Sequence, residues 1–283
     1  MKIGYFFKQV RIERGLSQKY VSESIMSQSS YSKFENNLIE IPFSNLFLII
    51  KRLGIAPEEF LFVHQGFQDT KEQQLVNHFF NLSHNNGSEI RILKDEIEKH
   101  LTKESNMLLD ELFIICECLI NLNENGEILI LRDKISPIWE RLSKSDEWYL
   151  NDIKLINVIL YFFPIGTAIE ITKKAIRRLN RYNSFSETKY LKSIFKLNLS
   201  LLLIKEGQIN NALNILKPLT DEKKTLSYSI LSLCYGRIAI CLYRSANPQY
   251  SDYYEKSCTL TKIYEDHQLQ MAIEKEFNKY KHI

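Results

Sequence analysis

The chain has 283 residues, 45% hydrophobic and 25% charged, a globular balance that excludes a disordered or low-complexity protein. Its nine glycines and six prolines are too few for a sheet protein built on many tight turns, so long helices are expected. The net charge of +3 resides in residues 1–37, where Lys2, Lys8, Arg11, Arg14, Lys19 and Lys33 face only Glu13, Glu23 and Glu35, and a small basic head on a neutral body fits nucleic-acid contact by the head.

Residues 1–63 read as five short helices. Ile3, Phe6, Phe7 and Val10 fall at i, i+3, i+4, i+7 and form one apolar stripe, with Gly15 closing the helix. Ser17 is the N-cap of a second helix with Val21 and Ile25 inward, and Ser27 caps a third with Tyr31 and Phe34 inward. Ser44 opens a fourth carrying Leu46, Ile49, Ile50 and Leu53. Pro57 stands at the first position of a fifth, with Glu58 and Glu59 at its positive end.

Gln65 to Lys71 is polar and contains Gly66, which separates a head at 1–65 from a body at 69–283. The body reads as nine or ten helices joined by short turns, hence antiparallel neighbours. Polar breaks fall near His84–Ser88, Leu122–Glu127, Ser143–Asp146, Pro164, Asn183–Ser186, Gly207–Asn210 and Ala246–Ser251. A weak repeat runs through it: Gly126-x-Ile128-x-x-Leu131, Ile165-x-x-Ala168-Ile169, Gly207-x-Ile209-x-x-Ala212-Leu213 and Tyr250-x-x-Tyr253-Tyr254. The starts Ile128, Ile165, Ile209 and Tyr250 are 37, 44 and 41 residues apart. Small residues at such points let paired helices approach closely, as in tetratricopeptide repeats. The fold class is therefore all-α: an N-terminal helix-turn-helix domain of five helices (Cro-like) followed by a tetratricopeptide-like α-solenoid.

Catalysis finds no support. The six histidines are scattered, and neither a Gly-rich phosphate loop nor HExxH occurs. Cys116, Cys118, Cys234, Cys241 and Cys258 form no CxxC pair and lack histidines at ligand spacing, so buried free thiols in a reducing cytoplasm are expected, with no metal and no cofactor. MKIGYFFKQVRIERG returns to charge too soon for a secretory leader. LINVILYFFPI is interrupted by Asn157 and too short to cross a bilayer.

Two short helices joined by a tight turn and stacked on a first describe a helix-turn-helix, whose second helix enters the major groove of double-stranded DNA and meets base edges with its first turn. Gln28, Ser29 and Ser30 occupy that turn, with Ser32, Lys33 and Asn37 farther along. Glutamine can pair with adenine N6 and N7, and serine can reach bases or phosphate. Gln18, Arg11, Arg14 and Lys19 are placed for phosphates, which fix register without reading sequence.

At these residues the chain resembles the Rgg-type regulators of low-GC Gram-positive bacteria. The run Ser27, Ser29, Ser32, Lys33, Phe34, Glu35 and the closing Pro57 to Phe60 carry the likeness in the head. In the body, Trp148 to Phe163 and Lys196 to Leu216 resemble that family's regulatory domain. The resemblance implies a homodimeric cytoplasmic transcription regulator of the quorum-sensing kind. Its helical-repeat domain would bind a short hydrophobic signalling peptide, as in the wider group that includes PlcR-like regulators. Lys33 stands where the family often has arginine, and Asn36-Asn37 replaces a more basic Arg-Gly ending. Fewer phosphate partners lower the counterion-release contribution.

An extended peptide exposes unpaired backbone N–H and C=O groups, which a side-chain amide can satisfy whatever the peptide sequence. Asn157 and Asn198 lie inside strongly apolar runs, in the first helices of adjacent repeats, and either line a groove or bond to a neighbouring helix. Lys154, Tyr161, Tyr190, Tyr228, Tyr235 and Arg237 are further candidates for the peptide surface. An alternative function is a scaffold whose solenoid holds a protein partner while the head localises it on DNA.

Overall fold

A computed structural model describes residues 2–82, 87–124, 128–185, 187–222 and 225–282, and the secondary structure among them is helical. The head contains α1 (Ile3–Glu13), α2 (Gln18–Ser22), α3 (Gln28–Glu35), α4 (Phe43–Arg52) and α5 (Pro57–His64). Ser17 and Ser27 cap as expected: their hydroxyls accept the N–H of Tyr20 and of Ser30, each at 3.1 Å. The second helix is shorter than expected. Ser24 adopts φ +57°, which ends the helical path, so Ile25 packs on the core from the connecting turn. The fourth begins at Phe43 behind Pro42, so Ser44 is an internal residue and caps nothing.

Phe6, Phe7, Val21, Tyr31, Phe34, Ile49, Ile50, Leu53, Ile55 and Phe60 form the head's core. Phe7 anchors it, its ring centroid 5.6 Å from Phe34 and 5.3 Å from Phe60. Ile3, expected on the inward stripe, lies at its exposed rim.

The body contains α6 (Lys71–Asn81), α7 (Gly87–Leu101), α8 (Met107–Asn123), α9 (Ile128–Lys144), α10 (Leu150–Ile159), α11 (Ile165–Leu179), α12 (Glu187–Lys205), α13 (Ile209–Asp221), α14 (Tyr228–Arg244), α15 (Tyr250–Ile263) and α16 (His267–Tyr280). Single 3-10 turns at Leu160–Phe162 and Asn180–Tyr182 extend α10 and α11. Eleven α-helices thus lie among the described residues where nine or ten were expected. The unforeseen breaks are at 102–106, between α13 and α14, and at 264–266, and none of these stretches contains glycine or proline. Asn106 accepts the N–H of Leu109 at 3.0 Å, Ser227 that of Ile230 at 3.3 Å and Asp266 that of Leu269 at 2.9 Å, so N-caps mark all three restarts. Of the expected break at His84–Ser88, residues 84–86 lie outside the described residues and α7 already begins at Gly87. Residues 125–127, including Gly126, and residue 186 also lie outside them.

The repeat motifs mark one structural event. Ile128, Ile165, Ile209 and Tyr250 each open the second helix of a pair: α8–α9, α10–α11, α12–α13 and α14–α15. Ala168 and Ala212 are fully buried there. Within the array α12 packs on α11, α13 and α14, while α16 packs on α14 and α15. By packing, the chain divides into Met1–Ser83 with Asp95–Leu109, and His84–Lys94 with Asp110–Ile283.

An internal triad fastens three helices of the second unit. Arg141 of α9 donates to both oxygens of buried Glu111 of α8, at 2.6 and 2.8 Å, and to Asp152 of α10 at 3.1 Å. Cys116, Cys118, Cys234 and Cys241 are buried free thiols and Cys258 is half-buried. Burial pushes Cys118 up to about 11 and the other three buried thiols up to about 12. In native buffer at pH 8, titration with an aromatic disulfide reagent should therefore modify at most Cys258 quickly, with all five thiols reacting only after denaturation.

Candidate DNA-reading face and ligand groove

In the head, the first turn of α3 presents Gln28 and Ser29 to solvent. Ser32 is half-buried, and Lys33 and Lys19 are exposed. Ser30 is half-buried; its hydroxyl accepts a hydrogen bond from Ser27 at 2.8 Å, and Ser27 and Ser29 are 3.1 Å apart. The serines thus knit the helix start together and leave short side chains outward.

The remaining sequence candidates make contacts within the head. Arg11 donates to both carboxylate oxygens of Glu35, at 2.6 and 2.9 Å, and to the Leu16 carbonyl at 2.9 Å. Gln18 donates to the same carboxylate at 2.8 Å. Burial alone would raise the pKa of Glu35, but the hydrogen bonds from Arg11 and Gln18 override it and hold the carboxyl below its ordinary range. The Arg11 guanidinium is correspondingly pushed up, chiefly by its bond to Glu35. Arg14 caps α4 by donating to the Leu53 carbonyl. Asn37 takes φ +57° beyond the end of α3, where its side-chain oxygen accepts the Gly4 N–H of α1 at 3.0 Å. These four positions help fix the geometry of the head: Arg11 and Gln18 are half-buried and bond to Glu35, while Arg14 and Asn37 remain exposed beside the contacts they make.

Two contributors were not visible in the sequence. Arg52 of α4 donates to the carbonyls of Tyr20 (3.2 Å), Val21 (3.4 Å) and Glu23, closing the C-terminal end of α2. Gly4 is the other: a Cβ there would lie 1.9 Å from the Phe34 carbonyl, so only glycine lets α1 approach the end of α3.

In the repeat unit, Lys154, Asn157 and Tyr161 follow i, i+3, i+7 spacing along α10 and its 3-10 extension. They are half-buried, while Ile153, Leu155, Ile156, Val158 and Ile159 are buried. On α12, Tyr190, Ile194, Asn198 and Lys205 form the matching stripe. Asn198 donates to the Asn157 side-chain oxygen at 3.1 Å and accepts from the Tyr161 hydroxyl at 2.7 Å. The two asparagines, left open by sequence between groove and internal bond, bond each other across the helices, and both remain partly accessible. Burial pushes the Tyr161 hydroxyl up to about 12, so it remains a neutral donor. Arg237 of α14 reaches the same region, donating to the Leu197 carbonyl at 2.6 Å and to both Glu276 oxygens at 2.7 and 3.0 Å. Burial works against its charge, and the Glu276 carboxylate outweighs that and raises the guanidinium pKa.

The other candidates separate from this cluster. Lys154 is paired with Glu187 at 2.6 Å, which ties α10 to α12. Tyr190 is half exposed on the α12 stripe. Tyr228 stacks on Tyr264 at 3.8 Å and donates to Asp266 at 3.0 Å, a packing role at the turn into α16. Tyr235 leans on Tyr253 at 5.9 Å and lines a depression between α14 and α15 with Leu231 and Lys256.

Comparison with known proteins matches this arrangement. Residues 7–60 match a helix-turn-helix family, and residues 91–240, over half the chain, match the family described as HTH-type transcriptional regulator Rgg, C-terminal domain. The chain belongs to the Rgg family. Among curated proteins none matches its sequence. Solved structures share the fold of this Rgg protein at low identity. A candidate transcriptional regulator from Listeria monocytogenes EGD-e superimposes with a TM-score of 0.76 at 20% identity, covering 99% of this chain and 98% of that one. The SHP pheromone receptor Rgg2 of Streptococcus dysgalactiae gives 0.70 at 14% identity, covering 99% of each chain. PlcR of Bacillus thuringiensis, solved in complex with the peptide PapR7 and DNA, gives 0.70 at 17% identity over 96% of this chain and 98% of that one. Like these, the Rgg chain joins a helix-turn-helix head to a helical-repeat body. No helix among the described residues is long and apolar enough to cross a membrane.

Proposed function

We propose that this Rgg protein is a sequence-specific regulator of promoter DNA controlled by a short hydrophobic signalling peptide. Residues 1–65 are the DNA-binding head and residues 69–283 the regulatory and dimerising body. The observation that carries the peptide reading is the Asn157–Asn198–Tyr161 chain, an amide and hydroxyl array on one accessible stripe of otherwise buried helices. Such an array offers donors and acceptors to an extended backbone independently of side chains, while the surrounding apolar residues favour a hydrophobic peptide. The peptide acts by preferring one conformation of the repeat array, which shifts the spacing of the two heads in a homodimer. The complexes of PlcR with a peptide and DNA, and of PrgX with cCF10, supply precedent within the same fold.

A display library of random short peptides, panned on the immobilised full chain, tests this reading. Hydrophobic peptides should be enriched. Asn198→Ala and Asn157→Ala should each weaken the selected peptides about tenfold or more, the effect of losing one buried hydrogen-bonding group. Failure to enrich any peptide, or equal binding by both variants, would remove the reading.

In the head, Gln28 is the base-reading candidate and Lys33 a phosphate contact. Gln28→Ala should relax base preference at one position at a cost of about 1–3 kcal/mol, whereas Lys33→Ala should weaken all duplexes alike and flatten the salt dependence by about one charge. Anisotropy titrations at several salt concentrations separate the two outcomes.

A further inference from the structure

Arg237 has 5% of its surface exposed, yet it carries a full charge in the middle of an apolar helix, between Gly236 and Ile238. Its partner Glu276 belongs to α16. A buried ion pair costs desolvation that an apolar pair of similar volume avoids, so stability alone gives little reason for it. Its position suggests another purpose. The carbonyl that Arg237 holds is that of Leu197, the residue before Asn198, so the guanidinium adjoins the amide chain of the groove. Glu276 retains 18% side-chain exposure. Lys205, whose ammonium lies 5.5 Å from the Tyr161 ring and 5.8 Å from that of Tyr280 on α16, adds positive charge at the same end.

We infer that Arg237 is a carboxylate-binding subsite at the end of the peptide groove. Glu276 fills it when no peptide is bound, and a carboxylate of the bound peptide (its free C-terminus or an acidic side chain) takes the place of Glu276. The inference rests on the groove reading above and specifies the class of ligand. Exchanging one carboxylate for another keeps the buried guanidinium paired, so displacement does not strand a charge. Glu276 is tethered and therefore present at high effective concentration. A small free carboxylate cannot compete with it, whereas a peptide that also engages Asn157 and Asn198 can. Release of Glu276 would loosen α16 from α14, coupling occupancy to the end of the chain.

The test uses the full chain and acetate as the probe. Thermal unfolding is followed in sodium acetate and in sodium chloride at equal ionic strength. In Glu276→Ala, acetate should raise the midpoint saturably by roughly 2–4 °C above the chloride control. Wild type, whose subsite is filled, should show no difference, and neither should the apolar double variant R237M/E276M. Glu276→Gln, which keeps the side-chain volume, serves as a second variant should the alanine form not fold, with a smaller acetate response expected. Equal midpoints in acetate and chloride for the soluble Glu276 variant would overturn the subsite. The measurement needs no peptide, so its failure leaves the groove standing, and failure of peptide selection is a separate result.

Discussion

Replacing Glu35 by alanine should unfold the DNA-reading head while leaving the repeat unit intact. The carboxylate is fully buried at its side chain, and it accepts hydrogen bonds from both Arg11 and Gln18 and supplies the charge opposite Arg11. Removing it strands a largely buried guanidinium (12% side-chain exposure) and an amide, a situation that typically costs about 3–5 kcal/mol. That is a large share of the stability of so small a unit. Trp139 and Trp148, the two tryptophans, both lie in the repeats, so their fluorescence should report an unchanged transition while circular dichroism loses the head's share of helix. Acid should act through the same group. The Glu35 pKa is lowered in the folded state, so its contribution is present in full above the unfolded value near 4.5 and disappears as pH falls through the folded value. A pH series of denaturation curves should therefore show an acid limb in wild type that Glu35→Gln lacks.

Gly4→Ala is the second severe change. The added carbon would sit 1.9 Å from the Phe34 carbonyl, which belongs to backbone and cannot rotate away. Helix α1 must shift outward, which breaks the Gly4 N–H bond to Asn37 and separates Phe7 from Phe34. Overpacking of this kind costs roughly 1–3 kcal/mol or more, despite alanine's better helix propensity of about 1 kcal/mol. The sign is the test: an exposed helical glycine changed to alanine gains stability, and here a loss is expected by chemical denaturation. DNA affinity should fall in parallel, because α3 is held by that contact.

These two residues show where sequence is informative and where it is silent. Periodicity and capping placed α1, α3 and α5 because their signals are local: a stripe at Phe6, Phe7 and Val10, a serine cap, a proline at the first position. The repeat starts were readable for the same reason, since small and apolar residues recur wherever a helix pair closes. What could not be read was which polar group faces which. Arg11 in α1 and Arg14 just past its end look alike in sequence, yet one meets a carboxylate 24 residues away and the other caps a helix 39 residues away. Gly4 resembles a helix weakness until the facing carbonyl is known. In the repeat unit, the asparagines stood out as polar breaks in apolar runs, but Tyr228 and Tyr235 did not differ in sequence from Tyr161. The ring stack with Tyr264 and the contact with Tyr253 are tertiary facts. Arg237 was visible as a charge among apolar residues. Its partner was not, because Glu276 comes from a different helix 39 positions on.

The central claim is that α3 reads DNA from a paired head, and selection from a pool of randomised duplexes by the purified full chain measures it most directly. The account predicts enrichment of a two-fold symmetric site whose half-sites lie about one helical turn, or a multiple of it, apart. It also predicts that Gln28→Ala alters the enriched half-site without abolishing binding. A pool that returns unenriched, or an identical consensus from wild type and from a variant carrying alanine at Gln28, Ser29 and Lys33 together, would contradict it.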